Sequence, residues 1–203
     1  MATGAKETLC VQQMADRSYR VYMGLVAPET IARPGGGVDV TDMNKARSAM
    51  LAPGGFFAGW APELRAFIDA AEGPWRAWPL YRLDPDTFLP VTGSEVQDLG
   101  RWVHVHGVTL LGDAAHISTP NGEGVNQAMY DSLVLFESIM NELGGEKAEL
   151  ESGEAEKAAL ARAVVAYEAE MLPRARDYIL RCIEDEGMFS GDDAAVRLAE
   201  MFN

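Results

Sequence analysis

The chain has 203 residues, 48% hydrophobic and 24% charged, which is enough apolar material for one large globular domain or one and a half small ones. The 31 acidic residues outnumber the 17 basic ones, and the formal net charge of -14 argues against nucleic-acid or anionic-membrane partners, because both bind basic patches. The two cysteines are far apart, no apolar run is long enough for a bilayer, and no secretory leader is expected. These features favour a soluble cytoplasmic protein that binds a small molecule.

The N-terminal region predicts a β-hairpin. Apolar and polar residues alternate over residues 8–14 and 19–26, and the four residues from Ala15 to Ser18 would form the turn between them. Pro28 and the Pro34-Gly-Gly-Gly37 sequence then indicate a surface loop.

Two helical segments and a brief strand are expected next. Thr41 or Asp42 would cap a short helix that extends to Met50. Pro53-Gly54-Gly55 opens a second helical stretch, in which apolar residues spaced by three and four predict a packing helix. These apolar residues are Phe57, Trp60, Leu64, Phe67 and Ile68. A strand is predicted near Trp78–Arg82. The tryptophans expected in the core rather than in a ligand cage are Trp60, Trp75 and Trp78.

The segment from Val103 to Leu111 is rich in β-branched and apolar residues, which predicts a buried parallel strand that ends at Gly112-Asp113. A helix should follow from Gly122 and stop at Gly144-Gly145, where glycine suits the C-cap. The apolar residues that share one face of this helix are Val125, Met129, Leu133, Phe136, Met140 and Leu143. A last helix is predicted from about Glu154 to Glu184, with a kink at Pro173.

A strand end, a carboxylate and a glycine-rich helix start come together in residues 110–131. Gly112 would let a ligand approach the backbone, and Asp113 can accept hydrogen bonds from sugar-alcohol hydroxyls. Pro120 would stiffen the loop, while Gly122 and Gly124 expose backbone N–H groups at a helix N-terminus that favours negative charge. Residue by residue, a capped helix after a strand with an incidental glycine-rich turn fits equally well.

Two other constellations carry less weight. His104 and His106 alternate onto one strand face, but no third ligand has a suitable spacing, so hydrogen-bonded histidines are favoured over a metal site. Asp113, His116 and Ser118 look like a hydrolase trio only superficially, because the sequence contains no Gly-x-Ser-x-Gly elbow. We assign no metal ligand and no catalytic side chain.

The whole string resembles the flavin-ribityl motif of class A, aromatic-hydroxylase-fold FAD monooxygenases: Gly-Asp-Ala-Ala-His, then Pro, then Gly-x-Gly-x-Asn, then Asp. The matching residues are Gly112, Asp113, Ala114, Ala115, His116, Pro120, Gly122, Gly124, Asn126 and Asp131. The Gly-Glu-Gly-Val-Asn variant looks most like the tetracycline-oxidising branch and its fungal relatives. Tyr167-Glu-Ala-Glu-Met171 with Arg174 looks like the family's C-terminal helix.

The resemblance implies an α/β (α+β) fold, namely the C-terminal portion of an FAD/NAD(P)-binding hydroxylase fold with a partial substrate-domain β-sheet plus helices. It divides the chain into a partial substrate-binding domain (1–100), a flavin-binding strand-loop-helix (101–145) and C-terminal helices (146–203). FAD would be bound by Gly112, Asp113, Pro120, Gly122, Gly124, Val125 and Asn126. Glu123, where other branches have glutamine, is expected to point outward.

The implied activity is hydroxylation of a small aromatic or polyketide-like substrate with O₂ and NAD(P)H, NADPH being the expected electron donor, in secondary metabolism. The sequence lacks the N-terminal Gly-x-Gly-x-x-Gly dinucleotide unit and the Asp-Gly motif of complete members. It therefore looks like a C-terminal fragment, whose uncovered faces would meet a second copy, a partner chain or a rearranged core. The alternative is a truncated non-redox homologue that acts as a binding module, subunit, cyclase or isomerase.

Overall fold

The computed structural model describes residues 1–89, 101–144, 153–189, 191 and 193–200. The chain divides into two units, the first formed by residues 1–79 with 186–203 and the second by residues 80–185. The strands are β1 (Ala2–Thr3), β2 (Glu7–Gln13) and β3 (Tyr19–Leu25). The α-helices are α1 (Met43–Leu51), α2 (Pro62–Asp69), α3 (Asp113–His116), α4 (Gly124–Leu143), α5 (Gly153–Phe189) and α6 (Ala194–Glu200). Two short 3-10 helices span Glu29–Ala32 and Pro85–Phe88.

The predicted hairpin is confirmed and forms the centre of the first unit. β2 pairs with β3 in an antiparallel register that runs from Glu7 opposite Leu25 to Gln13 opposite Tyr19. β1 adds to the other edge of β2, which gives a three-stranded sheet in the order β1-β2-β3. In the turn, Arg17 adopts a positive φ of 68°.

Helix α1 begins as the sequence predicts, and Asp42 rather than Thr41 is its cap. The Asp42 carboxylate accepts hydrogen bonds from the backbone N–H groups of Asn44 and Lys45. The second helical stretch is shorter than predicted, because α2 begins only at Pro62. Phe57 lies in the turns before it and is nevertheless fully buried. The core of this unit comprises Leu9, Val38, Ala46, Met50, Phe57 and Ile68.

Two predicted strands are wrong. Residues 78–82 form no strand, and residues 103–111 contain only an isolated bridge between Val105 and Val108. An extended segment needs a neighbour for its backbone N–H and C=O groups, and no strand of the described residues lies beside this one. Its apolar side chains therefore stay at the surface, as shown by Val103, which is 62% exposed. Trp78, predicted in the core, is likewise exposed, whereas Trp60 and Trp75 pack against the core of the first unit.

The second unit is built on α4 and α5. Helix α4 begins at Gly124, two residues later than predicted, and the backbone N–H of Gly144 donates to the Met140 carbonyl at its C-cap. Gly145 lies outside the described residues. Helix α5 remains helical on both sides of Pro173 and contributes most of the core. That core comprises Phe88, Ala115, Val134, Tyr167, Met171, Ala175, Tyr178, Ile179 and Cys182.

Helix α4 is amphipathic, but the apolar face predicted from the sequence is exposed to solvent and not packed against the core. We call the five exposed residues of this face, Val125, Met129, Leu133, Phe136 and Met140, the α4 stripe. Val125 and Met129 expose about two thirds of their surface, at 66% and 67%. The side chains that α4 buries instead are Asp131 and Val134. In the second unit, α4 thus packs through a face that carries a buried charge.

Within the described ranges, none of the helices combines the length and apolar character needed to cross a membrane. The division of the chain at residues 100 and 145 stays a prediction, and both boundary residues lie outside the described ranges.

Candidate active site

The turn at Gly112 is tightly constrained by its neighbours. Gly112 has a φ of 58°, a region that L-residues with a side chain rarely adopt. A Cβ at this position would lie 3.1 Å from the Cβ of Ala128 in α4. The Gly112 carbonyl accepts hydrogen bonds from the N–H groups of Ala115 and His116, both at 2.9 Å, which starts the short helix α3. Glycine is therefore required here because α4 approaches so closely.

Asp113 follows this turn as the first residue of α3, and its side chain is exposed. The pKa of Tyr178 is raised mainly by burial and also by a hydrogen bond with Cys182. The negative charges of Asp113 and Glu123 raise this pKa further. Both carboxylates thus disfavour ionisation of the Tyr178 hydroxyl. Tyr178 also packs edge-on against His116, with ring centroids 5.7 Å apart. No sequence signal indicates Tyr178, since nothing local distinguishes it from other apolar positions of α5.

The glycine-rich loop meets the same tyrosine. A Cβ added to Gly124 would lie 3.4 Å from the Tyr178 hydroxyl, whereas Gly122, with a φ of 91°, faces open space. Glu123, the N-cap of α4, makes no side-chain capping hydrogen bond, so the first N–H groups of this 20-residue helix have no side-chain cap. Around this helix start Pro120, Val125 and Asn126 are exposed, as is Gly122. The glutamate side chain is half exposed and lies 3.7 Å from Arg181.

Asp131 ties these segments together from inside the unit. Its carboxylate is fully buried and accepts hydrogen bonds from the Gly112 N–H at 2.6 Å, His116 Nε2 at 2.7 Å and Arg174 Nη2 at 2.7 Å. Burial by itself raises the pKa of Asp131, but the hydrogen bonds from His116, Gly112 and Arg174 outweigh burial and place that pKa below its ordinary value. The carboxylate therefore stays ionised at neutral pH.

A second buried carboxylate, Glu168, anchors the segment that precedes the turn. Glu168 pairs with His104 Nδ1 at 2.7 Å and accepts a hydrogen bond from the Thr109 hydroxyl at 2.9 Å. The neighbouring Tyr167 hydroxyl donates to the Leu110 carbonyl at 2.9 Å. The expected hydrogen-bonded His104 is thus present, although it does not lie on a strand. These contacts take the place of sheet pairing and hold residues 104–110 against α5.

The polar groups at this surface fit the ribityl and ring side of a flavin. Asp113 offers an exposed carboxylate acceptor, and the uncapped start of α4 offers backbone donors. Tyr178 contacts both elements, since it packs against His116 of α3 and lies next to Gly124 of α4. A ligand with hydroxyl groups at one end and a negatively polarised ring at the other would satisfy both sets.

Comparison with known proteins points the same way. Residues 97–168 match a family model described as an FAD binding domain. The chain is 31% identical over 133 residues to monooxygenase penA of Penicillium thymicola and 31% identical over 127 residues to an FAD-dependent urate hydroxylase of Klebsiella pneumoniae. These matches support the resemblance of the chain to part of a class A FAD-dependent monooxygenase. Its mixed helices and small sheet are an α/β fragment of the hydroxylase fold.

The match to this family extends over most of the chain but over little of its relatives. The aligned regions cover 64% of the chain for penA and 62% for the Klebsiella pneumoniae protein. An FAD-dependent urate hydroxylase of Klebsiella oxytoca is 28% identical over 145 residues, or 71% of the chain. These regions amount to 28%, 26% and 30% of the respective relatives, so the chain matches less than a third of each curated protein.

Proposed function

We propose that this chain supplies the ribityl and isoalloxazine side of the flavin site in an FAD-dependent monooxygenase that hydroxylates a small aromatic or polyketide-like substrate with O₂ and NAD(P)H. The observation that carries the proposal is that α3, which begins with exposed Asp113, and the uncapped start of α4 both contact Tyr178, through His116 and Gly124. The monooxygenase and hydroxylase names of the relatives support the reaction type.

Each part of the site has a distinct role in this proposal. Asp113 would accept hydrogen bonds from the ribityl hydroxyls, while the backbone from Gly122 to Asn126 would face the isoalloxazine. Pro120, exposed in the same loop, would lie on the substrate side. Arg181, 3.7 Å from Glu123, offsets a negative charge that would otherwise oppose an anionic ring. When bound, FAD supplies the redox chemistry with O₂, and the chain places it and limits the access of water.

The substrate class follows from the relatives by analogy. Urate, named in two of them, is a small planar heteroaromatic molecule, which agrees with a flat substrate next to a flavin ring. Urate is an anion at neutral pH, so the analogy concerns its planar shape and not its charge, because the net charge of -14 favours neutral or cationic substrates at long range. NADPH is the electron donor that we propose for the complete enzyme, and a cytoplasmic location goes with that supply.

Completion of the site requires a partner surface. The second unit exposes the α4 stripe and several apolar side chains of residues 103–111, and a large exposed apolar surface marks an interaction site. We propose that a dinucleotide-binding region, in the same polypeptide or in a partner chain, covers this surface and holds the ADP part of FAD. A second copy of the 203 residues would cover it without adding a Gly-x-Gly-x-x-Gly turn, which the sequence lacks.

A non-redox binding module is the second candidate. The observation that favours it is that residues 103–111, which would enter a flavin-binding sheet, are exposed and form no strand. Such a module would retain affinity for a polyhydroxylated ligand and leave flavin fluorescence unchanged.

The experiment is a titration of the purified chain with FAD, followed by flavin absorbance and fluorescence. We expect a yellow complex with quenched fluorescence in the micromolar range. Asp113→Ala should weaken binding about tenfold, whereas Glu63→Ala should not change it. Glu63 is a matched control, because it is an exposed carboxylate in the first turn of a helix of the other unit. No binding by the chain alone, and again none after the unmatched part of the Penicillium relative is added as a separate chain, would sink the proposal.

A further inference from the structure

The Asp131 carboxylate connects three parts of the second unit that are distant in sequence. Its hydrogen-bond partners, Gly112, His116 and Arg174, lie 19, 15 and 43 residues away along the chain. One oxygen, Oδ2, accepts from both Gly112 and His116, and the other, Oδ1, accepts from Arg174. The flavin-site turn, α4 and α5 therefore meet at a single side chain.

This arrangement is built around the charge of Asp131. A buried carboxylate is costly unless charge-assisted hydrogen bonds satisfy it, and here three donors do so. Arg174 is itself fixed, since it donates to Gln127 Oε1 at 3.1 Å and lies 4.7 Å from the centroid of the Tyr130 ring. The donor that balances Asp131 thus has little freedom to turn away.

We propose that Asp131 is a positioning residue that holds the Gly112-Asp113 turn against α4, so that Asp113 is presented to the ribityl hydroxyls of the flavin. The Gly112 N–H that Asp131 accepts lies in the residue directly before Asp113, and loss of this bond frees the turn at a φ that only glycine tolerates well. The ligand in this proposal rests on the proposed function, whereas the effect on the turn does not.

Glu168 provides a matched control. It is also a buried carboxylate of the second unit, with His104 and Thr109 as partners, but none of its hydrogen bonds reaches Gly112. Glu168→Gln therefore tests the loss of a buried charge, and Asp131→Asn tests the loss of a buried charge that holds the turn. In Asp131→Asn the amide keeps one oxygen but must direct an NH₂ group at Arg174 or at Gly112 and His116.

The experiment measures backbone hydrogen exchange of the ligand-free 203-residue chain and then its affinity for FAD by fluorescence quenching. In Asp131→Asn we expect exchange of the Gly112–His116 amides to accelerate at least about tenfold and FAD to bind about tenfold more weakly. Glu168→Gln should accelerate exchange around residues 104–110 and leave the 112–116 amides and FAD affinity within about twofold. Circular dichroism confirms that both variants are folded.

The outcomes separate this inference from the proposed function. If the wild-type chain binds no FAD, the flavin proposal for the isolated chain fails, and the exchange data still decide whether Asp131 holds the turn. Equal exchange at residues 112–116 in Asp131→Asn and wild type, or equal effects of the two variants there, would overturn the positioning role. If Asp131→Asn does not fold, Arg174→Met, which removes one donor of three, gives the same localised readout with a smaller expected change.

Discussion

The two units of the molecule differ in what they bury. The core of the first unit is apolar and includes Leu9, Phe57 and Ile68, and the only polar residue that its described part buries is Thr3. The second unit buries His116, Asp131 and Glu168 and leaves the α4 stripe in solvent. The first unit thus follows the usual distribution of apolar residues inside and polar residues outside, and the second unit partly inverts it.

The buried charges and the exposed apolar stripe of the second unit are not arranged for the stability of that unit alone. Buried charges cost free energy unless they are fully paired, and here they hold the turn and the segment before it in defined positions. The exposed stripe is apolar surface left for a contact that the unit does not make itself. The first unit is therefore held by apolar packing, and the parts of the site in the second unit are fixed by hydrogen bonds.

The largest expected effect tests the contrast between the two apolar groups. Phe57 is fully buried in the first unit, whereas Phe136 of the α4 stripe is 59% exposed. We expect Phe57→Ala to lower the free energy of unfolding by about 3–5 kcal/mol and Phe136→Ala to change it by less than about 0.5 kcal/mol. Urea unfolding followed by circular dichroism measures both. Equal destabilisation by the two substitutions would mean that the α4 stripe is covered in the free chain, so that the two units do not differ in how they bury apolar side chains.

A pair of glycines sharpens the contrast within the second unit. Gly112 and Gly122 both have positive φ, but a Cβ would approach Ala128 to 3.1 Å only at Gly112. Gly122→Ala should lower the free energy of unfolding by about 1 kcal/mol through backbone strain alone, and Gly112→Ala should lower it by about 2–3 kcal/mol because the contact adds to the strain.

The added substitution Ala128→Gly isolates the contact. Removing the Ala128 methyl group in the Gly112→Ala background should recover part of the loss, while the same change in the Gly122→Ala background should recover none. No recovery at Gly112 would show that the close approach of α4 does not set the geometry of the turn.

Secondary-structure elements that depend on neighbouring residues are predicted correctly from the sequence. The predictions fail for elements that need a contact with a distant part of the chain. The hairpin and a helix cap at Thr41 or Asp42 follow from residues adjacent in the chain. The hairpin is confirmed, and Asp42 is the cap. The strand predicted over residues 103–111 is wrong. The apolar pattern of this segment indicates that its side chains need to be covered, but it does not indicate whether a neighbouring strand is present.

The residues of the site show the same dependence on separation along the chain. The motif match includes Gly112 and the start of α4, and the structure brings Gly112 against Ala128 of that helix. The role of the motif residues in binding flavin stays a prediction. Tyr178 and the contact of Asp131 with Arg174 were not predicted, because Tyr178 and Arg174 both lie in α5, more than 40 residues beyond Asp131. The one available signal was a polar residue, Asp131, on the face of α4 opposite its apolar stripe.

The smallest expected effect concerns the charge that the second unit buries. Burial and hydrogen bonding act in opposite directions on the pKa of Asp131, and hydrogen bonding prevails, so that this pKa lies below its value in the unfolded chain. A lowered pKa stabilises the fold above the unfolded value of about 3.9, and this contribution is lost as pH falls through the folded pKa. The stability difference between wild type and Asp131→Asn should therefore be constant from about pH 7 to pH 5 and shrink below about pH 4.

Urea unfolding at each pH measures this stability difference, with Glu168→Gln as the parallel control. A difference that grows as the solution is acidified would mean that the Asp131 carboxylate is protonated more easily in the folded chain than in the unfolded one, and that its three hydrogen bonds do not offset its burial.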